Sequence, residues 1–216
     1  MASPLPGHRC MRPLALPIEV SIAIDLPTIL VLASGRGERF KASGGHTHKL
    51  QADLAGRTVL QRTLDAVLAS GLQWHLEDLG LPGMGDSIAS AVRATASAAG
   101  WMVLPADLPL ICPQTLLDIA QTPMHTDILV PVFQGQRGHP VRFSRACQAD
   151  LSLLRGTKGA AALLARGSVV EWPVDDPGCT TDIDTLEDLH RARHYVLAGS
   201  CRMEPFQNQK RDTAHE

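Results

Sequence analysis

The sequence has few aromatic residues, no long apolar run and almost no net charge. Aromatics make up 4% of its 216 residues, while the hydrophobic fraction is an ordinary 44%. Without 18 consecutive apolar residues, we expect no membrane span. A formal net charge of −2 argues against a nucleic-acid partner. The length fits one domain, and the abundant alanine, leucine and glycine favour an α/β core of small side chains.

The sequence pattern favours neither a disulfide framework nor a signal peptide. The five cysteines are odd in number, widely spaced and contain no C-x-x-C pair: Cys10, Cys112, Cys147, Cys179 and Cys201. Reduced thiols in a cytoplasmic protein are therefore expected. Prolines and acidic residues interrupt the N-terminal apolar stretch, which suits a signal peptide poorly. We interpret residues 1–26 as an extension, with Met11 as an alternative start, residues 27–199 as the domain and residues 200–216 as a polar tail.

Short apolar segments alternate with amphipathic ones along the chain. This order predicts a doubly wound, mostly parallel, three-layer α/β/α sheet of Rossmann-like type. Strands are expected at 28–33, 101–104, 128–133, 141–143 and 169–174, with a weak edge strand at 18–24. Helices are expected at 59–69, 86–99, 113–121, 148–155, 158–166 and 185–193, a loop over 35–48, and no clear element over 72–81. Ligands of such sheets bind beyond the carboxyl ends of the strands.

A glycine- and arginine-rich segment follows the first predicted strand. Gly35 and Gly37 let backbone N–H groups approach an anion, while Arg36, Arg39 and the downstream Lys49 supply charge to phosphate oxygens. The segment has neither the G-x-x-x-x-G-K-[ST] pattern of a P-loop nor the third glycine of a dinucleotide fingerprint. It predicts a polyphosphate-binding loop, with a strand-to-helix turn bearing surface arginines as the alternative.

Three aspartates are candidates for a magnesium site. Asp107 follows the strand at 101–104, where its carboxylate faces the expected ligand crevice. Asp182 and Asp184 point the same way if their segment is extended. Carboxylate oxygen is a preferred ligand of Mg²⁺. The alternatives are a turn or helix-capping role for Asp107 and a helix-starting turn for Asp184.

Two further segments are candidates for substrate contact. Gly83-Met84-Gly85-Asp86-Ser87 opens a helix, whose N–H groups and positive dipole end suit a base, ribose or phosphate. A capped helix without a ligand is the alternative. Residues 135–140 display Arg137 and His139 in a turn, which could also be a plain hairpin. The sequence has no H-E-x-x-H and no G-x-S-x-G, so zinc-protease and serine-hydrolase signatures are missing.

Taken together, these segments resemble the molybdenum cofactor nucleotidyltransferases, a family of MobA-like NTP transferases. The resemblance spans about Thr28 to Arg193 and rests on 32–40 with Lys49-Leu50, 83–87, 105–109, 137–140 and 182–189, in the family's order. Residues 137–140 and 182–185 look more like the molybdopterin cytidylyltransferase branch than the guanylyltransferase one.

The resemblance implies a nucleotide-diphospho-sugar transferase-like fold and Mg²⁺-dependent transfer of a nucleoside monophosphate from an NTP, CTP or GTP with CTP favoured, to the phosphate of molybdopterin cofactor. A molybdoenzyme or its chaperone is a candidate partner. The implied catalytic residues are Arg39, Lys49 and Asp107; Asp107, Asp182 and Asp184 are candidate metal ligands; and Arg137, Gly138 and His139 would bind the acceptor. Nucleotide binding falls to Leu32, Ala33, Ser34, Gly35, Arg36, Gly37, Arg39, Lys49, Gly83, Met84, Ser87 and Asp107.

The sequence departs from the family between the first long helix and Gly83. The resemblance implies a strand–helix–strand there, but only residues 72–82 are available. An edge βα unit is therefore expected to be missing or collapsed to 72–76. Two other functions stay open: a nucleotidyltransferase for sugar phosphates or other small phosphates, and a non-catalytic protein that binds or inserts the cofactor.

Overall fold

The computed structural model describes residues 25–199. The expected extension, edge strand at 18–24, tail, Cys10 and Cys201 lie outside them, apart from the extension's last two residues, Asp25 and Leu26. Nine strands are described: β1 (Thr28–Leu32), β2 (Asp53–Leu54), β3 (Arg57–Thr58), β4 (Trp74–Glu77), β5 (Gly100–Pro105), β6 (Ile128–Phe133), β7 (Gln136–Arg137), β8 (Val141–Ser144) and β9 (Val169–Pro173). Seven helices accompany them: α1 (Glu38–Ala42), α2 (Val59–Ala69), α3 (Met84–Ala94), α4 (Pro113–Gln121), α5 (Gln148–Ser152), α6 (Ala161–Arg166) and α7 (Leu186–Leu197).

Seven of the strands form one sheet in the order β4-β1-β5-β8-β6, with β7 and β9 both paired to β6. β4, β1, β5, β6 and β9 run in one direction, and β7 and β8 run in the other. Leu32, Glu77 and Pro105 lie side by side in register, so three neighbouring strands end at the same edge. The expectation of a mostly parallel sheet is confirmed.

The sheet is the middle of three layers because its central strands are buried on both faces. Ile29 and Val31 of β1 pack with α2, α4 and α7, whereas Leu30 and Leu32 pack with α3, α5 and α6. Side chains alternate between the faces of a strand, and a near-continuous apolar run therefore serves both helical layers. Trp101, fully buried in β5, lies on the α3 side.

Local sequence signals account for several helix boundaries. Thr58 and Gln61 form the capping box of α2, and Thr185 and Asp188 form that of α7, each with a side-chain oxygen accepting a backbone N–H. Pro113 begins α4, where its missing N–H costs no hydrogen bond. The predictions for β1, α2, β5, α4, β6, β8 and β9 are confirmed to within two residues at each end.

Other boundaries differ from the predictions. The loop expected over 35–48 contains α1, which buries Phe40. Helix α3 begins after Gly83 rather than at Asp86 or Ser87, and it ends at Ala94 rather than near Ala99. The helices expected at 148–155 and 158–166 shrink to α5 and α6, because the segment between them turns through two glycines with positive φ, Gly156 and Gly159.

The short segment before Gly83 keeps one strand. Residues 74–77 form β4, parallel to β1 and on one edge of the sheet, and residues 78–83 lead directly into α3. A strand therefore forms at 74–77 where the prediction allowed a collapsed unit at 72–76. Within residues 25–199 no further strand pairs with the outer side of β4, which agrees with a shortened edge unit.

Candidate nucleotide and metal site

A pocket of about 880 Å³ lies beyond the carboxyl ends of β1, β4 and β5. Sixteen of the seventeen predicted site residues line it, the exception being Ala33, which packs against the core. The pocket is also lined by residues that were not among the predicted site residues: Glu38, Leu50, Leu81, Pro82, Pro105, Leu108, Gln136, Thr157, Cys179 and Thr180. Segments far apart in sequence thus meet at the edge where ligands of parallel sheets bind.

The glycine loop has the features of an anion cradle. Gly37 adopts a left-handed conformation with φ 65° and precedes α1. Within residues 25–199, no protein acceptor pairs with the backbone N–H groups of Gly35, Arg36 or Gly37. No atom outside residues 34–36 lies within 4 Å of where a Cβ of Gly35 would sit, so the space on that side of the residue is open. Backbone N–H groups without a protein acceptor can bind an anion.

Lys49 lies at the centre of the charged wall. Its Nζ donates to Asp107 Oδ2 at 2.6 Å and to Asp184 Oδ1 at 2.8 Å, and its side chain is only 10% exposed. Burial alone would lower the pKa of Lys49, but the charge of Asp107 and the hydrogen bonds that Lys49 donates to both carboxylates outweigh burial and raise the pKa. Arg39 lies on the same wall, with its guanidinium 2.7 Å from Asp184.

The three predicted metal ligands converge. Asp107, Asp182 and Asp184 each offer an oxygen within 4.8 Å of the others. Oxygens that share one Mg²⁺ at about 2.1 Å lie within about 4.2 Å of each other, which small side-chain movements can provide. Asp107 Oδ1 is buried without a partner, while Oδ2 holds Lys49. The donor set therefore fits a hard divalent cation, because one oxygen of Asp107 is left to receive it.

The carboxylates have different electrostatic environments. Burial, together with the charges of Asp184 and Asp107, raises the pKa of Asp182. Burial alone would also raise the pKa of Asp184, but the hydrogen bond and charge of Lys49, with the charge of Arg39, lower it. A bound cation would favour the ionised form of Asp182.

Arg137, Gly138 and His139 also line the pocket. Arg137 Nε donates to Glu171 Oε1 at 2.7 Å, leaving its terminal nitrogens without an ion-pair partner among the described residues. A Cβ on Gly138 would lie 2.4 Å from the carbonyl oxygen of Cys179, so only glycine fits there. His139 Nδ1 is buried without a partner, and burial lowers the pKa of this ring against an opposing hydrogen bond to the backbone of Val103 and the charge of Asp107.

The first turn of α3 has fewer free N–H donors than predicted. The N–H of Gly85 donates to the carbonyl of Gly156, and the N–H of Gly156 donates to Asp86. One of the first-turn donors is therefore already paired within the protein. Met84 and Ser87 still line the pocket, and Thr157 joins them from the neighbouring loop. Thr157 was missed because a helix was predicted nearby on either side.

The sequence matches a family model described as the MobA-like NTP transferase domain over residues 65–170. The matched range contains Asp107 and Arg137, whereas the glycine loop, Lys49 and Asp184 lie outside it. A search of curated protein sequences gave no significant match.

Solved structures give a wider match. Rv0371c from Mycobacterium tuberculosis is 28% identical, with a TM-score of 0.64 over 78% of this chain and 98% of its own. A manganese complex of Rv0371c is also known, at 25% identity and a TM-score of 0.62 over the same shares. A nucleotidyl transferase from Methanothermobacter thermautotrophicus is 21% identical, with a TM-score of 0.67 over 81% of this chain and 99% of its own.

Molybdopterin-guanine dinucleotide biosynthesis protein A from Archaeoglobus fulgidus is a further match. It is 19% identical, with a TM-score of 0.58 over 79% of this chain and 99% of its own. The fold of this chain is thus the α/β fold of these nucleotidyltransferases. The match of residues 65–170 to the MobA-like NTP transferase domain supports nucleotidyltransferase activity. None of the helices in residues 25–199 has the length and apolar character that a membrane crossing requires.

Proposed function

We propose that this protein transfers a nucleoside monophosphate from an NTP, with CTP favoured, to the phosphate of molybdopterin cofactor and releases pyrophosphate. The observation that carries the proposal is the convergence of Arg39, Lys49 and three carboxylates beside a loop with unpaired N–H groups. The preference for CTP rests on the cytidylyltransferase-like segments 137–140 and 182–185. The odd number and wide spacing of the cysteines support a cytoplasmic reaction, and a molybdoenzyme or its chaperone would receive the product.

In this proposal the glycine loop binds the triphosphate through the N–H groups of Gly35, Arg36 and Gly37. Asp107, Asp182 and Asp184 hold Mg²⁺, which supplies charge neutralisation and orientation of the phosphates when bound. Lys49 exchanges a carboxylate partner for an α-phosphate oxygen. The ammonium is fully charged at neutral pH because its pKa is raised.

The acceptor binds beside Arg137, Gly138 and His139, which line the same pocket. The terminal nitrogens of Arg137 and the ring of His139 bind its phosphate. An oxygen of that phosphate attacks the α-phosphorus, a new P–O bond forms, and the bond to the bridging oxygen of pyrophosphate breaks. No general base is needed because a phosphate monoester is already an anionic nucleophile. Catalysis is then positioning plus charge neutralisation.

Thermal-shift titration tests nucleotide choice. CTP, GTP and ATP are compared with and without MgCl₂, and a ligand at about 100 times its Kd stabilises the protein by about 2.7 kcal/mol. We expect the largest shift with CTP and MgCl₂. A larger shift with GTP would overturn the nucleotide preference while leaving the reaction class intact.

Pyrophosphate release tests the reaction itself. Purified molybdopterin cofactor is compared with a panel of sugar phosphates, and Asp107→Ala is expected to lower turnover by about 10²-fold or more. Asp175→Ala, an exposed carboxylate outside the pocket, is the control. Turnover only with sugar phosphates would reassign the acceptor. Cofactor binding without metal-dependent release would instead favour the non-catalytic carrier.

A further inference from the structure

His48 connects the glycine loop to the segment that carries Lys49. Its Nε2 lies 2.7 Å from the carbonyl oxygen of Gly35, and its Nδ1 accepts the N–H of Leu50 at 3.3 Å. It is also the N-terminal cap of a short 3-10 helix that begins at Lys49. Both bonds are satisfied by a neutral ring that carries its hydrogen on Nε2. One side chain thus links the backbone of the two phosphate-facing segments.

The middle of the glycine loop has little other support. The N–H of Ala33 donates to the carbonyl of Glu77 at one end, and Gly37 starts α1 at the other. Between them, and within residues 25–199, the only protein group that bonds to the backbone of Gly35 or Arg36 is the His48 ring. An unsupported loop of this kind would sample several positions relative to Lys49.

We propose that His48 is a positioning residue that fixes the glycine loop relative to Lys49, so that both engage one triphosphate. The proposal rests on the proposed function for the identity of that ligand. Gly37 supports it, because a Cβ there would lie 3.5 Å from both the His48 ring and the Lys49 side chain, which places these groups against the loop. Displacement of catalytic groups by about 1 Å can cost on the order of 100-fold in rate.

Three substitutions separate the two bonds. An asparagine oxygen takes the place of Nδ1, so His48→Asn keeps the cap and loses the bond to Gly35. A glutamine amide takes the place of Nε2, so His48→Gln keeps the bond to Gly35 and loses the cap. His48→Ala loses both. His46→Ala is the matched control, since His46 is an exposed histidine two residues away and does not line the pocket.

We expect His48→Asn and His48→Ala to lower kcat/KM for the NTP about tenfold, with the KM of the acceptor unchanged. His48→Gln should recover activity to within about threefold of wild type, and all variants should melt within about 2 °C of it. Wild-type kinetics in His48→Asn, or a loss in His48→Gln as large as in His48→Ala, would overturn the proposal.

Nucleotide affinity distinguishes a failure of the proposed role of His48 from a failure of the proposed function. Calorimetric titration with CTP and MgCl₂ needs no acceptor, and we expect His48→Asn to bind about five- to tenfold more weakly than wild type and His48→Gln. If wild type binds nucleotide but transfers it to no acceptor, the proposed reaction is wrong while the affinity series still tests His48. Equal affinity in wild type, His48→Asn, His48→Gln and His48→Ala would overturn the role of His48 alone.

Discussion

Replacing Lys49 with methionine tests whether its ammonium neutralises the carboxylate cluster. Methionine has a similar length and no charge, so the substitution leaves Asp107, Asp182 and Asp184 close together with only the exposed Arg39 as a partner. The side chains of Lys49, Asp107 and Asp184 are 10%, 15% and 16% exposed. Removing one partner from a buried ion pair costs about 3 kcal/mol or more. For a domain of this size, 3 kcal/mol lowers the Tm by about 6–12 °C.

Calorimetry in EDTA at pH 7.5 measures this loss, with Lys41→Met as the control because Lys41 is exposed and outside the ion pairs of residues 25–199. Lowering the pH should reduce the difference in Tm between Lys49→Met and wild type. The lowered pKa of Asp184 in wild type means that its stabilisation is present above its unfolded-state pKa and lost as pH falls through the folded-state pKa. MnCl₂ should stabilise Lys49→Met more than wild type, since a cation replaces the missing charge. An unchanged Tm in EDTA, or equal stabilisation by MnCl₂, would refute this reasoning.

Other predictions concern the glycine loop with Arg39, Gly138 and the thiol of Cys179. Arg39→Ala should reduce kcat/KM about 30- to 150-fold, the 2–3 kcal/mol of a charge-assisted hydrogen bond, and a reduction below about threefold would remove Arg39 from the site. Gly35→Ala should keep the wild-type Tm but weaken CTP binding, measured by calorimetry. Gly138→Ala should lower the free energy of unfolding in urea by about 1–3 kcal/mol, because its Cβ would meet the Cys179 carbonyl. A loss of stability in Gly35→Ala, or wild-type stability in Gly138→Ala, would contradict these predictions. Burial and the charge of Asp176 raise the pKa of Cys179 to about 11. Its thiolate fraction at pH 7.5 is therefore very small, and iodoacetamide should leave it unmodified in the folded protein while labelling it after unfolding.

The sequence predicted best the elements in which local signals and burial agree. β1 and β6 are apolar runs buried on both faces, and α2 and α7 carry capping residues at their first turns. The β2–β3 hairpin was missed because its strands have two residues each, too few for any periodicity. Its turn places Ala55 and Gly56 at positive φ, and alanine gives no signal for that conformation.

The candidate site was predicted as a set of residue types rather than as a geometry. Glycines, arginines and carboxylates near strand ends indicate phosphate and metal chemistry wherever the strands lie. The ion pair between Lys49 and Asp184 joins residues 135 positions apart, and no local pattern specifies that distance. The role of His48 was not predicted, since its two bonds depend on how the glycine loop folds back.

Helix α7 also bonds to the segments that follow the glycine loop in the chain. The N–H of Leu186, the first residue of α7, donates to the Ser43 hydroxyl just after α1, and Arg193 bonds both the backbone and the side chain of Asp53. Asp184 lies just before this helix, and its carboxylate forms an ion pair with Lys49. The contacts of Ser43, Asp53 and Lys49 with residues 184–193 therefore form only after those residues have been synthesised, late in translation of the described part of the chain.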